Sequence, residues 1–143
     1  MRTALVALVV AFVCVAHVAT AADDGLTQPK VNSAYSNSYT TATDLIATTN
    51  GSGNVKGVLC ELRLDASENY PNAIVKFYVN GGSAQSVTLK YDYAPRSSDA
   101  GYVAAYTGWV PFNVRFTSSI RITIQKENYM GNSITCAASW GLD

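Results

Sequence analysis

The sequence predicts an all-β protein, a single antiparallel β-sandwich of about seven to eight strands, on three observations. Apolar and polar residues alternate with period two through most of the chain after residue 43. Clusters of Gly, Asn and Ser interrupt the alternation at short intervals. Two cysteines, Cys60 and Cys136, fall on the apolar side of their runs. Short, turn-bounded strands with one apolar face bury that face against a second sheet.

Residues 1–21 read as a secretory signal peptide. Arg2 provides the charged end, Ala4 to Val18 is an almost unbroken apolar run, and Ala19-Thr20-Ala21 offers the small residues of a cleavage site. The run is about 15 residues long, short of the roughly 20 that span a bilayer. The expectation is a secreted, extracellular product, not an integral membrane protein, beginning at Ala22 or Asp23. Cleavage removes Cys14 and His17, the one histidine, and leaves nine Lys and Arg against ten Asp and Glu. A net charge near −1 gives no field that would draw nucleic acid. In an oxidising compartment the remaining cysteines are expected to form one inter-strand disulfide, Cys60–Cys136.

Residues 22–42 are rich in Ser, Thr, Asn and Tyr, and read either as a polar N-terminal tail or as an edge strand. The sandwich domain is placed at 43–143. Leu45 to Thr49 is a strand with an ambiguous inward face. From Val58 to Asp65 the inward set is Val58, Cys60, Leu62 and Leu64, opposite Glu61, Arg63 and Asp65. Ala73, Val75, Phe77 and Val79 face in against Lys76 and Tyr78; Val87, Leu89, Tyr91 and Tyr93 face in against Thr88, Lys90 and Asp92. Val110, Phe112, Val114 and Phe116 face in, with Trp109, Asn113 and Arg115 out. Ile120, Ile122 and Ile124 oppose Arg121, Thr123 and Gln125, and the last run points Ile134, Cys136, Ala138 and Trp140 inward.

The turns support these runs. Asn80-Gly81-Gly82 supplies the positive φ angles of a tight hairpin. Asn50 to Asn54, Ser67 to Asn72 with Pro71, and Gly131-Asn132 are further turns. Asn50-Gly51-Ser52 is also a sequon, which makes Asn50 a candidate N-glycosylation site. Inward parity at both cysteines places their bond in the core, where it can tie the two sheets together.

Enzymatic chemistry is not expected. Without histidine the chain lacks the usual general base for a Ser or Cys nucleophile, and the commonest zinc ligand. Glu61 and Asp65 share a face but stand ~13 Å apart at the rise of a strand, against the roughly 5–9.5 Å of a glycosidase pair. Pairing across strands, as of Glu61 with Asp92, leaves a secreted hydrolase as a remote alternative. Asp65, Glu68 and Asn69, with Asp99 in another loop, are weak calcium candidates that lack the dense acidic spacing of a dedicated loop. No cofactor is expected.

Tyrosine is the most informative excess, with nine after cleavage. Tyr102 and Tyr106 fall in the longest predicted connection, Ala94 to Gly108, and Trp109 follows at once with Asn113 and Arg115 on its face. Aromatic rings beside amide and guanidinium donors suit a sugar, whose C–H face stacks while its hydroxyls bond. They equally suit a protein surface, where Tyr, Trp and Arg dominate hot spots. Tyr102, Tyr106, Trp109, Asn113 and Arg115 are therefore the candidate ligand-binding residues. The bland alternative buries Trp109 beneath the loop as a satellite of the core.

Thr43-Asp44-Leu45-Ile46 leading to Gly51-Ser52-Gly53 and Gly57-Val58, then Tyr78-Val79-Asn80-Gly81-Gly82 and the run from Phe112 to Arg121, resemble jelly-roll β-sandwich modules. Such modules occur in phage tail and fibre proteins and in secreted carbohydrate-associated proteins. The resemblance spans roughly residues 43–125 and rests on turn glycines and alternating strands. It implies a jelly-roll-like, non-enzymatic sandwich used for attachment or assembly, and transfers no functional residue. The leading expectation is an extracellular binding or adhesion module for a glycan or protein surface. A structural matrix protein of a shell, cuticle or byssal layer, capable of self-assembly, is the alternative.

Overall fold

Eight strands and no helix make up the described residues of the computed structural model, which are 28–65, 72–90, 102–129 and 133–143. In chain order the strands are β1 (Gln28–Ser36), β2 (Thr43–Asn50), β3 (Gly53–Asp65), β4 (Ala73–Val79), β5 (Gln85–Leu89), β6 (Tyr102–Phe116), β7 (Ser119–Lys126) and β8 (Ser133–Leu142). The expected signal segment, Tyr91, Asp92, Tyr93, Glu68, Asn69, Asp99 and the Gly131-Asn132 turn lie outside the described residues.

Sheet A has the order β1-β8-β3-β6 and sheet B the order β2-β7-β4-β5, every pair antiparallel. First pairs with last, second with seventh, third with sixth and fourth with fifth. The chain is thus one long hairpin, closed at β4–β5 and rolled into two sheets, which is the jelly-roll topology. Asn80 and Gly81 close that inner hairpin with φ of 54° and 71°, and the Gly82 amide donates to the Val79 carbonyl at 2.9 Å. Residues 28–36 are the outer strand of sheet A, paired with β8 along their whole length.

The core lies between the sheets and is drawn from the inward parities. Val58, Cys60 and Leu62 of β3, Ile134, Cys136, Ala138 and Trp140 of β8, and Phe116 of β6 meet Val75 and Phe77 of β4 and Ile120, Ile122 and Ile124 of β7. Phe77 and Phe112 join the sheets edge to face, with centroids 4.8 Å apart. On β2 both Leu45 and Ile46 are buried, because register shifts on either side of Ile46 break the alternation.

Three expectations are corrected. Cys60 and Cys136 are bonded, but they are directly opposite partners on adjacent strands β3 and β8, with Cα atoms 4.1 Å apart. The disulfide therefore staples one sheet from its inner face and does not tie two sheets together, because parity specifies a face and not a neighbour. Secondly, Tyr102 to Gly108 belongs to β6 and not to a connection. Thirdly, Thr123 is buried, flanked across the ladder by Asp44 and Lys76, which hydrogen-bond to its neighbours Arg121 and Gln125.

Candidate functional site

β6 carries all five candidate residues, and two irregularities decide which face each one takes. Between the pairs Leu59–Trp109 and Glu61–Tyr106, one residue of β3, Cys60, stands against two of β6, Thr107 and Gly108. This is a β-bulge with its glycine in the left-handed region, at φ 67°. The Thr107 hydroxyl accepts the Cys60 amide at 3.0 Å and donates to the Gly108 carbonyl at 2.8 Å, so the amide at the bulge stays satisfied. The inserted residue also brings Tyr106 and Trp109, three positions apart, onto the same outward face; a regular strand would oppose them. A second bulge sets Lys56 against Phe112 and Asn113, with Asn113 at φ 52°.

The outer face of sheet A then follows from the register. Tyr35, Thr135, Glu61 and Tyr106 form one row across β1, β8, β3 and β6; Ser33, Ala137, Leu59 and Trp109 form the next; Val31, Ser139, Gly57 and Pro111 form the third. Among the described residues seven large hydrophobic side chains are exposed, and five of them share these rows: Val31, Tyr35, Leu59, Tyr106 and Trp109. The face is apolar and aromatic, with Ser and Thr hydroxyls interleaved.

Trp109 is half exposed, at 51%, and not a satellite of the core. Its indole lies over Gly57 on the neighbouring strand: a Cβ at Gly57 would fall 2.6 Å from Cζ2 of the ring and 2.8 Å from Cε2. Only a residue without a side chain leaves that bed for the ring. One side of the indole is thus held by backbone while the rest is open to solvent.

The five candidates do not converge. Tyr106 and Trp109 stand in adjacent rows near the middle of β6, the edge strand of sheet A. Asn113 accepts a hydrogen bond from Asn54 Nδ2 at 2.7 Å, further along the strand. Arg115 forms a two-pronged ion pair with Asp143, at 2.7 and 2.6 Å, so its guanidinium is engaged. Tyr102 pairs with Asp65 at the opposite end of β6, and the side chains of both lie outside the described residues. Val31, Tyr35, Leu59 and Gly57 were not among the candidates. Leu59 has the parity of Glu61, and Val31, Ser33 and Tyr35 alternate with Asn32 and Ala34, so period-two reading of the N-terminal segment points to them.

Among the described side chains Glu61 is the one carboxylate in these rows. Glu61 stands between Tyr106 and Thr135 and is 3.5 Å from Arg63. No group of three potential metal-ligating residues occurs among the described residues. Asn50, at the end of β2, is exposed, and the following Gly51 amide donates to the Ser118 carbonyl at 2.8 Å. No helix of the described residues is long and apolar enough to cross a membrane. No protein-family model, curated protein or solved structure matches this chain.

Proposed function

We propose that this chain is a secreted, non-enzymatic binding or adhesion module that takes up a glycan or glycoprotein on the outer face of sheet A. The observation that carries the reading is the exposed indole of Trp109 seated on Gly57, with Tyr106 beside it. A ring backed by rigid backbone presents apolar area without losing rotamer freedom on binding, which lowers the cost of association. Sugar C–H faces stack on such rings, and the Ser and Thr hydroxyls between the apolar residues can exchange hydrogen bonds with sugar hydroxyls.

The test is binding of the disulfide-intact protein to a panel of glycans and insoluble polysaccharides, with and without calcium. Saturable binding that falls about 10-fold or more in Trp109→Ala is the expected result, as for a central aromatic anchor. A protein that binds no member of the panel abandons this reading. The alternative is a structural matrix protein of the shell, cuticle or byssal kind. It draws support from the exposure of Tyr35, Tyr39, Tyr106 and Tyr129, whose phenols are open to oxidative cross-linking.

A further inference from the structure

Among the described residues the two exposed large hydrophobic side chains that lie off the outer face of sheet A are both tyrosines, and they meet. Tyr39 sits in the connection between β1 and β2, Tyr129 follows β7, and their ring centroids are 6.5 Å apart with planes at 71°. No other pair of tyrosine rings stands so close among the described residues. Hydrogen bonds tie the Tyr39 segment to the end of β7, and Glu127, two residues before Tyr129, to Asn72 just before β4. Gln125 Nε2 donates to the Tyr39 carbonyl at 3.0 Å, and the Lys126 amide donates to the Ser38 carbonyl at 3.1 Å. Ser38 Oγ accepts the amides of Thr40 and Thr41, closing the turn that bears Tyr39. On the other side Asn72 Nδ2 donates to the Glu127 carboxylate at 2.6 Å, and the Glu127 amide donates to the Asn72 carbonyl at 3.0 Å. The turn that bears Tyr39 is thus fixed by hydrogen bonds, Tyr129 follows two residues after the anchored Glu127, and both rings are exposed.

We propose that Tyr39 and Tyr129 are a modification site, joined within one chain as dityrosine by a haem peroxidase with hydrogen peroxide. Each phenol gives up one electron and one proton. The two phenoxyl radicals then form a carbon–carbon bond between ring carbons ortho to the oxygens, and the hydrogen on each of those carbons moves to its own oxygen. The two electrons and two protons reduce one hydrogen peroxide to two waters. Rings held in contact meet at an effective concentration of about millimolar or higher, far above that of a second protein molecule in dilute solution. The product is a second covalent staple, at a sheet end where Cys60–Cys136 has no reach. It does not depend on glycan binding, since neither ring lies on the outer face of sheet A.

The experiment treats dilute, disulfide-intact protein with a haem peroxidase and hydrogen peroxide. The expected product is a monomer on a reducing gel, with dityrosine fluorescence and a mass lower by two hydrogen atoms. Proteolysis should release one peptide pair carrying residues 39 and 129. Tyr39→Phe and Tyr129→Phe keep the aromatic packing and should each lower the monomer signal about 10-fold or more, whereas Tyr35→Phe should leave it unchanged. Monomer dityrosine that survives in Tyr39→Phe overturns the assignment. So do cross-links found only between chains, and a protein that stays unmodified where free tyrosine is coupled.

Discussion

The indole of Trp109 rests on the bare backbone of Gly57, one strand away on the outer face of sheet A. This relationship ties the exposed aromatic to the strand order, because the two residues are neighbours only where β6 runs beside β3. Gly57→Ala puts a methyl group into ring atoms and close to the Val110 carbonyl, so the ring must move. The expected cost is about 1–3 kcal/mol, the range for overpacking a filled site. Urea unfolding reads the cost, and a changed Trp emission reads the displaced ring. Unaltered stability and emission would show that the ring is not held by this contact.

The bulge next to Trp109 is held by the Thr107 hydroxyl. Thr107→Val keeps shape but leaves the Cys60 amide buried without an acceptor, at a cost of about 1–3 kcal/mol. Thr107→Ser keeps the oxygen and should recover most of that loss. If Val and Ser variants unfold at the same urea concentration, the hydroxyl is not what satisfies the bulge.

Asn80 joins two turns. Its φ of 54° suits the β4–β5 hairpin, while its Oδ1 accepts the amides of Thr117 and Ser118 at 2.8 and 2.9 Å in the β6–β7 turn. Asn80→Gly preserves the backbone freedom and removes the acceptor, so it isolates the side-chain contribution, about 1–2 kcal/mol. Asn80→Asp keeps the acceptor and should lie close to the parent in thermal unfolding. A Gly variant as stable as the parent would reduce Asn80 to a turn former.

What the sequence makes legible is each strand's inward face. Side chains alternate wherever a strand is regular, so Ile120, Ile122 and Ile124 or Ile134, Cys136 and Ala138 identify themselves. What it conceals is which strand lies beside which, and where the alternation slips. Cys60 and Cys136 both point inward whether they bridge sheets or neighbours, and only the register places them opposite. Tyr102 to Gly108 reads as a connection because Ala104, Ala105 and Gly108 carry little β preference and the bulge breaks the period. The aromatic face was half visible for the same reason. Trp109 shows by parity, whereas its partnership with Tyr106 depends on the inserted residue, and Tyr35 depends on the pairing of β1 with β8.

The disulfide closes a separation of 76 residues between two central strands. Replacing both cysteines by Ala is expected to cost about 4–5 kcal/mol in the chain-entropy account. Since both residues are fully buried, thiol reductant should act on the native protein slowly and on the urea-unfolded protein at once. Mass spectrometry after alkylation reads both rates, and equal rates would mean that the bond is reached without unfolding.

Arg115 and Trp109 lie on one strand, and they should separate cleanly in binding. The guanidinium of Arg115 is already occupied by the Asp143 carboxylate in an exposed pair, worth no more than about 1 kcal/mol. A ligand that recruited it would first have to break that pair, whereas Trp109 is half exposed and makes no ion pair. Arg115→Ala should therefore leave glycan affinity within about 3-fold of the parent, while Trp109→Ala and Tyr106→Ala each lose about 10-fold or more. The comparison by isothermal titration, or by depletion onto an insoluble polysaccharide, needs all three variants folded, which thermal unfolding establishes first. Equal losses in Arg115→Ala and Trp109→Ala would extend the site to the end of the strand and make the Asp143 pair a contact that the ligand displaces.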